Sequence, residues 1–276
     1  MNVLGSAGSV LAASQALATG PGMLIMNADD WGRTVATTDR TAECVERGAV
    51  SAVSAMVFME DSERAAAIAL DRGIDAGLHL NFTTPFSAAG SPTRLIGHQE
   101  ALARYLRRSR LAQVVFHPRL TGAFEYVVAA QLDEFRRLYG TEPDRLDGHH
   151  HMHLCANVLF QKLMPAGTLV RRSFSFQRTE KSAWNRLYRR FVDFVLSRRH
   201  RMVDVFMSLA PLEPSTRLQR IFAVARRCVV ELETHPIQSE EHRFLGSAQM
   251  RALSRDVRIA PPSMLDRSRP ARVDRG

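Results

Sequence analysis

The stretch from Met23 to Gly32 does most to limit what this chain can become. It reads Met-Leu-Ile-Met-Asn-Ala-Asp-Asp-Trp-Gly, an apolar run that delivers two adjacent carboxylates, Asp29 and Asp30, to its end. Such a run marks a buried parallel strand, and α/β folds place their chemistry just past the C-terminal ends of these strands. Neighbouring residues of an extended chain point to opposite sides. Both carboxylates therefore enter one mouth only if a turn begins at Asp29 and is stopped by Gly32. Two readings of the pair stand side by side. In one, a carboxylate holds a metal while its neighbour takes a proton; in the other, both cap the helix that follows.

The alternation set up there repeats. A helical pattern over Thr34 to Arg47 ends at Gly48, and Val50 to Phe58 reads as a second strand. A helix from Asp61 or Ser62 to Asp71 leads to a third strand, Ile74 to Asn81, carrying Gly-Leu-His79-Leu-Asn81. From Phe82 to Pro118 the pattern lapses, which predicts a substrate-side lid or insertion. A helix over Ala123 to Tyr139 precedes a fourth strand that runs into Leu146-Asp147-Gly148-His149-His150-His151-Met152-His153. Thr168 to Arg171, Met202 to Met207 and Cys228 to Leu232 are the fifth, sixth and seventh strand candidates, the last ending in Glu233-Thr234-His235-Pro236. Between the fifth and sixth, Trp184, Leu187, Tyr188, Phe191, Phe194 and Val195 form a helical apolar stripe, a pattern that ordinarily faces a core.

With 276 residues, 45% of them hydrophobic, one α/β barrel fits the length. Residues 1–21 read as a disordered extension or as residues upstream of a true start at Met23, 22–246 as the barrel domain, and 247–276 as a basic tail holding one short helix. The net charge of +9 is local. Arg171 to Arg201 carries ten Lys and Arg against two acids, and Arg251 to Gly276 seven Arg against three Asp. No nucleic-acid recognition motif accompanies either segment, so specific nucleic-acid binding is not expected; contact of the basic helix 180–201 with an anionic surface is a possible role. No stretch has the length of a transmembrane span. Three scattered cysteines and the lack of a charged leader lead to a cytoplasmic expectation. No feature of the sequence sets an oligomeric state.

In a parallel barrel, Asp29, Asp30, His79, the histidine run and His235 all come to one face, and six of the ten histidines stand at such strand ends. Two imidazoles and one carboxylate around a metal leave positions open for water and substrate. In an extended chain His149, His151 and His153 share a side; His149, first at the strand end, is the ligand candidate. Asp147 reads either as an acceptor for a histidine N–H or as a strand-end cap.

Asn27-Ala28-Asp29-Asp30-Trp31-Gly32, Gly77-Leu78-His79-Leu80-Asn81, the Leu146–His153 run and His235-Pro236 resemble, in order and spacing, the motifs of the YdjC-like carbohydrate deacetylases, a family that includes chitooligosaccharide deacetylase and a hopanoid-biosynthesis branch. The resemblance covers roughly residues 22 to 246. It implies an irregular seven-stranded (β/α) barrel of the polysaccharide-deacetylase kind. It also implies metal-dependent removal of an acetyl group from an N-acetylated sugar, oligosaccharide or glycolipid precursor. The alternatives are a non-catalytic glycan-binding relative and a metal hydrolase of another amide or ester. The implied ligands are one aspartate of the pair, His79 and His149. The assignment is Asp30 as ligand and Asp29 as base by analogy with the wider polysaccharide deacetylases, with exchange of the two left open, and His235 as acid. Asn27, Trp31, Asn81, Asp147, His151 and His153 are expected to contact substrate or orient ligands. The resemblance points to Mg2+, while the donor set also suits Zn2+. Trp31 stands where the family usually has Phe.

Overall fold

The computed structural model describes residues 22–109, 111–176 and 182–265. Seven parallel strands form one sheet in the order β5-β4-β3-β2-β1-β7-β6. They are β1 (Met23–Trp31), β2 (Ala52–Ala55), β3 (Ala76–Leu80), β4 (Arg145–Gly148), β5 (Leu169–Val170), β6 (Val205–Ser208) and β7 (Val229–Thr234). The sheet curls into an irregular barrel. Its outer strands, β5 and β6, do not pair as a ladder. Single hydrogen bonds cross the seam instead: Val170 N–H to Arg201 O (2.9 Å), Arg201 N–H to Thr168 O (3.0 Å) and Ser175 N–H to Phe206 O (2.8 Å).

The period-2 geometry of the strands sorts the interior into layers. On β1, Leu24, Met26 and Ala28 face outward into the main core beneath the helices, while Met23 and Ile25 pack with Ala52, Leu169, Val203, Phe206 and Val229 as a separate apolar cluster. The next inward positions are polar: Asn27 and Asp29 on β1, Ser54 on β2, His79 on β3, Arg145 and Asp147 on β4, Glu231 and Glu233 on β7, all buried. The parallel register sets Asn27 level with Glu233 and His79 level with Asp147. An apolar layer therefore floors the barrel, and a charged layer lies on it.

The helices are α1 (Val35–Glu46), α2 (Ser62–Arg72), α3 (Thr93–Arg108), α4 (Leu111–Val114), α5 (Thr121–Tyr139), α6 (Ala156–Phe160), α7 (Ala183–Ser197), α8 (Ser215–Ala225), α9 (Ser239–Leu245) and α10 (Ala248–Ser254). Three of them depart from expectation. The segment 82–118, expected as a lid or insertion, is largely helical: it contains the sixteen-residue α3, which buries Leu95, Gln99, Leu102 and Leu106 and packs on α5. Pro92 at its start and arginines among its apolar positions hid the helix from a periodicity reading. In α7 the aromatic stripe faces outward, with Trp184 81%, Leu187 58% and Phe191 and Phe194 50% exposed; Val192, Asp193 and Leu196 form the buried side. Finally, packing continues past Gly246. Met250, Val257 and Ala260 are buried, and Leu24 bonds Arg258 and Ala260 through its backbone, so the segment to Leu265 belongs to the folded body. Residues 1–21 and 266–276 lie outside the described residues.

Candidate active site

The two carboxylates of the pair reach one mouth by an inversion of a single residue. Asp29 points inward by strand alternation; Asp30 would point outward, but its backbone is left-handed (φ 65°) and the β1–β2 register slips between Ala28 and Trp31. This left-handed conformation is uncommon for a residue other than glycine and is best tolerated by Asp and Asn. The turn expected after the strand is thus a bulge within it.

Asp30 faces two imidazoles. Its Oδ1 lies 2.8 Å from His149 Nδ1 and 3.4 Å from His79 Nε2. Asp30 Oδ1 and the other ring nitrogen of His149, Nε2, are both buried without a hydrogen-bond partner. Asp30, His79 and His149 offer ligand atoms within 4.8 Å of one another. His79 is oriented from behind: its Nδ1–H donates to Asp147 Oδ1 at 2.7 Å, which leaves Nε2 toward the mouth. Burial alone would discharge His79, but the charges of Asp147 and then Asp29 outweigh it and push its pKa up to about 10. Burial likewise opposes ionisation of Asp30, and the adjacent His149 and His79 overcome it, holding that carboxyl well below the usual range. The site draws positive charge. Buried donors without partners, an oriented imidazole and a mixed nitrogen and oxygen set together fit a divalent cation.

Asp29 has a different partner. Its Oδ1 and Oδ2 accept from Arg171 Nη2 and Nη1, both at 2.7 Å, and Oδ1 also accepts from Asn27 Nδ2 at 2.7 Å. Against the cost of burial, Arg171 keeps this carboxyl ionised below its ordinary pKa. Arg171 itself is fully buried and also reaches Asp147 (2.8 Å), Glu231 (2.7 Å) and Glu233 (3.4 Å). Below, Ser54 Oγ accepts from Asn27 (2.8 Å) and Arg145 (3.0 Å) and donates to Asp147 Oδ2 (2.5 Å). Gly77 makes room for this arrangement, since a Cβ there would stand 2.9 Å from the Arg145 guanidinium carbon. Glu233, desolvated and close to the Asp29 charge, is pushed up to about 8.

The histidine run does not alternate. After Gly148 the chain leaves the sheet, and His150 and His151 are both left-handed (φ 55° and 58°). His149 stays at the cluster. His150 turns to Thr83 (Nδ1 to Oγ1 3.0 Å), and His151 is partly exposed, 3.6 Å from Glu233 and edge-on to Phe174. His153 is fully buried and neutral, its pKa pushed down to about 4 mainly by burial, and its Nε2–H donates to the Arg171 carbonyl at 2.9 Å. It braces the strand that carries Arg171 and does not face the mouth. Trp31 is also a core residue, its Nε1–H donating to Ala65 O at 3.2 Å. Asn81 folds its own loop, accepting from the Thr83 and Thr84 N–H groups and donating to Thr84 O. His235, half-buried, follows Thr234 at the end of β7, level with the end of Ala28 on β1, and its backbone N–H is held by Glu241 Oε2 at 2.8 Å.

Sequence reasoning missed Arg171, Glu231, Glu233 and Ser54. The signal was available for three of them. Arg171 ends the fifth strand, and the two glutamates sit two apart in an apolar strand, which is the spacing of one face. Ser54 gave none.

The chain is similar to several known proteins. Among curated relatives, it is 29% identical over 136 residues to the chitooligosaccharide deacetylase of Proteus mirabilis, covering 49% of this chain and 52% of that one. It is 30% identical over 148 residues to the carbohydrate deacetylase of Mus musculus (49% and 44%) and 31% over 140 residues to that of Homo sapiens (49% and 42%). The matched part spans about half the length of these relatives. In fold, the chain is similar to the crystal structure of a candidate cellobiose-phosphate cleavage protein from Enterococcus faecalis. That match has a TM-score of 0.61 and 19% identity over 88% of this chain and 98% of that one. The family model described as YdjC-like protein matches residues 23–266, nearly the whole folded body, and the chain belongs to that family.

Proposed function

We propose that this protein is a metal-dependent hydrolase that removes the acetyl group from an N-acetylated sugar, oligosaccharide or glycolipid precursor. The observation that carries the reading is the division of labour within one dipeptide: Asp30 belongs to two imidazoles, while Asp29 belongs to a buried guanidinium. A ligand and a base held side by side are what amide hydrolysis needs, and glycan binding alone calls for neither. The deacetylase names of the relatives point the same way.

Asp30, His79 and His149 would hold the ion, Mg2+ in the first instance with Zn2+ as the alternative. When bound, a divalent ion there acidifies water and polarises the acetyl carbonyl. Asp29 takes the proton of the attacking water. Its Oδ1 already accepts two hydrogen bonds, whereas Oδ2 accepts one, from Arg171, and lies 3.9 Å from His79 Nε2. Oδ2 therefore has a lone pair left for the proton. Arg171 fixes the plane of that carboxylate and keeps it ionised in a buried setting. His235, beside β1 at the mouth, hands a proton to the departing amine, which is a poor leaving group as an anion. His151, half-way out of the mouth, contacts the sugar.

The test is acetate release from a panel of N-acetylglucosamine oligomers and N-acetylated glycolipids, with metal stripped and then restored as Mg2+ or Zn2+. The expected result is activity that returns with metal and is lost in His79→Ala and His149→Ala. In Asp29→Asn, turnover should vanish while metal still binds, read by calorimetry. Full activity of that variant removes Asp29 as the base, and acetate release unaffected by chelation removes the metal.

A further inference from the structure

Helix α7 is built inside out for a barrel helix. A barrel helix ordinarily buries its large apolar side chains against the sheet. Here Val192 and Leu196 do so, while Trp184, Leu187, Tyr188, Phe191 and Phe194 lie on the solvent side. These five are spaced three, one, three and three residues apart and so share a face about 120° wide on a helix turning 100° per residue.

The exposed charges of the helix are all basic. Arg186, Arg189, Arg190 and, just past its end, Arg198 accompany the stripe, and Arg199 and Arg201 follow. The one acid of α7, Asp193, is buried and committed to Arg172 Nη2 (2.7 Å) and the Ser173 N–H (3.0 Å). The Arg198 guanidinium stands over the Phe194 ring at 5.9 Å. A Trp/Phe/Leu face with arginines and no exposed acid is the composition of helices that lie in the headgroup region of anionic bilayers. It suits a second copy of the same face poorly, because pairing two such faces would bring their arginines together.

The opposite side of the helix is connected to the mouth. Arg189, on the side of the buried Val192 and Asp193, stacks over Phe176 (4.8 Å), Phe176 meets Phe174 (ring centres 6.0 Å apart), and Phe174 meets His151 (4.6 Å).

We infer that the exposed face of α7 docks this protein on an anionic phospholipid surface, with Trp184, Leu187, Phe191 and Phe194 inserted among the headgroups and the arginines against lipid phosphates. The two tryptophans make this directly readable. Trp31 is fully buried in the core and Trp184 is the exposed one, so vesicle-dependent changes in emission report α7.

The full chain is titrated with vesicles of phosphatidylcholine containing 30% phosphatidylglycerol, and with pure phosphatidylcholine. Binding is read by flotation and by Trp184 emission. The expected result is binding to the anionic vesicles, a shift of emission to shorter wavelength, and weakening by salt. Phe191→Ser/Phe194→Ser, which keeps Trp184 and touches no catalytic group, should bind at least about tenfold more weakly. Unchanged Trp184 emission overturns the proposal, and so does undiminished binding of the double variant. A stable dimer in solution that the double variant dissociates, without vesicle binding by either form, overturns it in favour of a second copy as occupant.

Discussion

Arg171 is fully buried among four carboxylates, which makes Arg171→Met the most informative single change in the molecule. Asp147 would keep His79 and Arg145 as cationic neighbours, and Asp29 would keep the Asn27 amide and His79 at 3.9 Å, but Asp29 and Glu231 would both lose the guanidinium that bonds them. Each of the two then remains charged without its main counter-charge or takes up a proton. The first route costs about 3–5 kcal/mol for a broken buried pair. The second is bounded by the ordinary pKa values of 3.8 and 4.5. At pH 7.5, protonation costs about 5 kcal/mol for Asp29 and about 4 for Glu231; at pH 5.0 it costs about 2 and about 1. The metal-free variant should therefore lose several kcal/mol at pH 7.5, a large part of the roughly 5–15 kcal/mol a domain has, and recover most of it at pH 5.0. The sign follows from linkage. With the cation gone, the native carboxyls bind protons above their unfolded pKa values, so stability rises as pH falls through that window. Urea unfolding of both proteins in EDTA at the two pH values measures the deficit. Adding Glu231→Gln to the variant should return part of it at pH 7.5. A deficit below about 1 kcal/mol at pH 7.5, or one of equal size at both pH values, would refute the reasoning.

Asp147→Asn removes the charge that orients His79 and should weaken metal affinity by about 10–100-fold with the fold kept, as read by competition with a chromogenic chelator. Ser54→Ala deletes the hydroxyl joining Asn27, Arg145 and Asp147, and urea unfolding should show a loss of about 1–3 kcal/mol. His200, buried beside Thr168 and near Arg199, has its pKa pushed down to about 4, first by burial. The unfolded chain takes up that proton nearer pH 6.5, so this residue costs stability as pH falls from about 6.5 to about 4, up to roughly 3 kcal/mol. His200→Gln should flatten that acid limb, and an unchanged pH profile would show that His200 is not its source.

Most of the strands were legible as short apolar runs, the fourth, Arg145–Gly148, instead by its place after the Gly140 and Pro143 break, and the mouth because acids and histidines stood at the strand ends. What stayed hidden followed from the same habit of reading. Treating a strand as continuously apolar attends to the outward residues, Leu24 and Met26 or Val230 and Leu232. It passes over inward alternates such as Glu231 and Glu233 of the charged layer. The histidine run was misplaced because alternation was carried past Gly148 into a segment where two residues are left-handed. The periodicity of α7 was read correctly, but its direction was not. Spacing shows that a helix has an apolar face, and only the surrounding chain decides whether that face meets a sheet. Trp31 and Asn81 carry the motif yet serve the core and a loop, because a motif records which residues recur together and not which way they point.

The inverted backbone at Asp30 joins a conformational cost and an electrostatic gain in one residue. Left-handed geometry favours glycine, but the imidazoles of His149 and His79 and the Arg33 guanidinium (2.9 Å) hold the Asp30 carboxyl ionised against burial. Asp30→Gly would relax the backbone and leave those cationic neighbours without their counter-charge, trading about 1–3 kcal/mol of strain for a broken buried pair worth about 3–5 kcal/mol. The carboxylate that would hold a metal is thus also the one that balances the charge of the mouth.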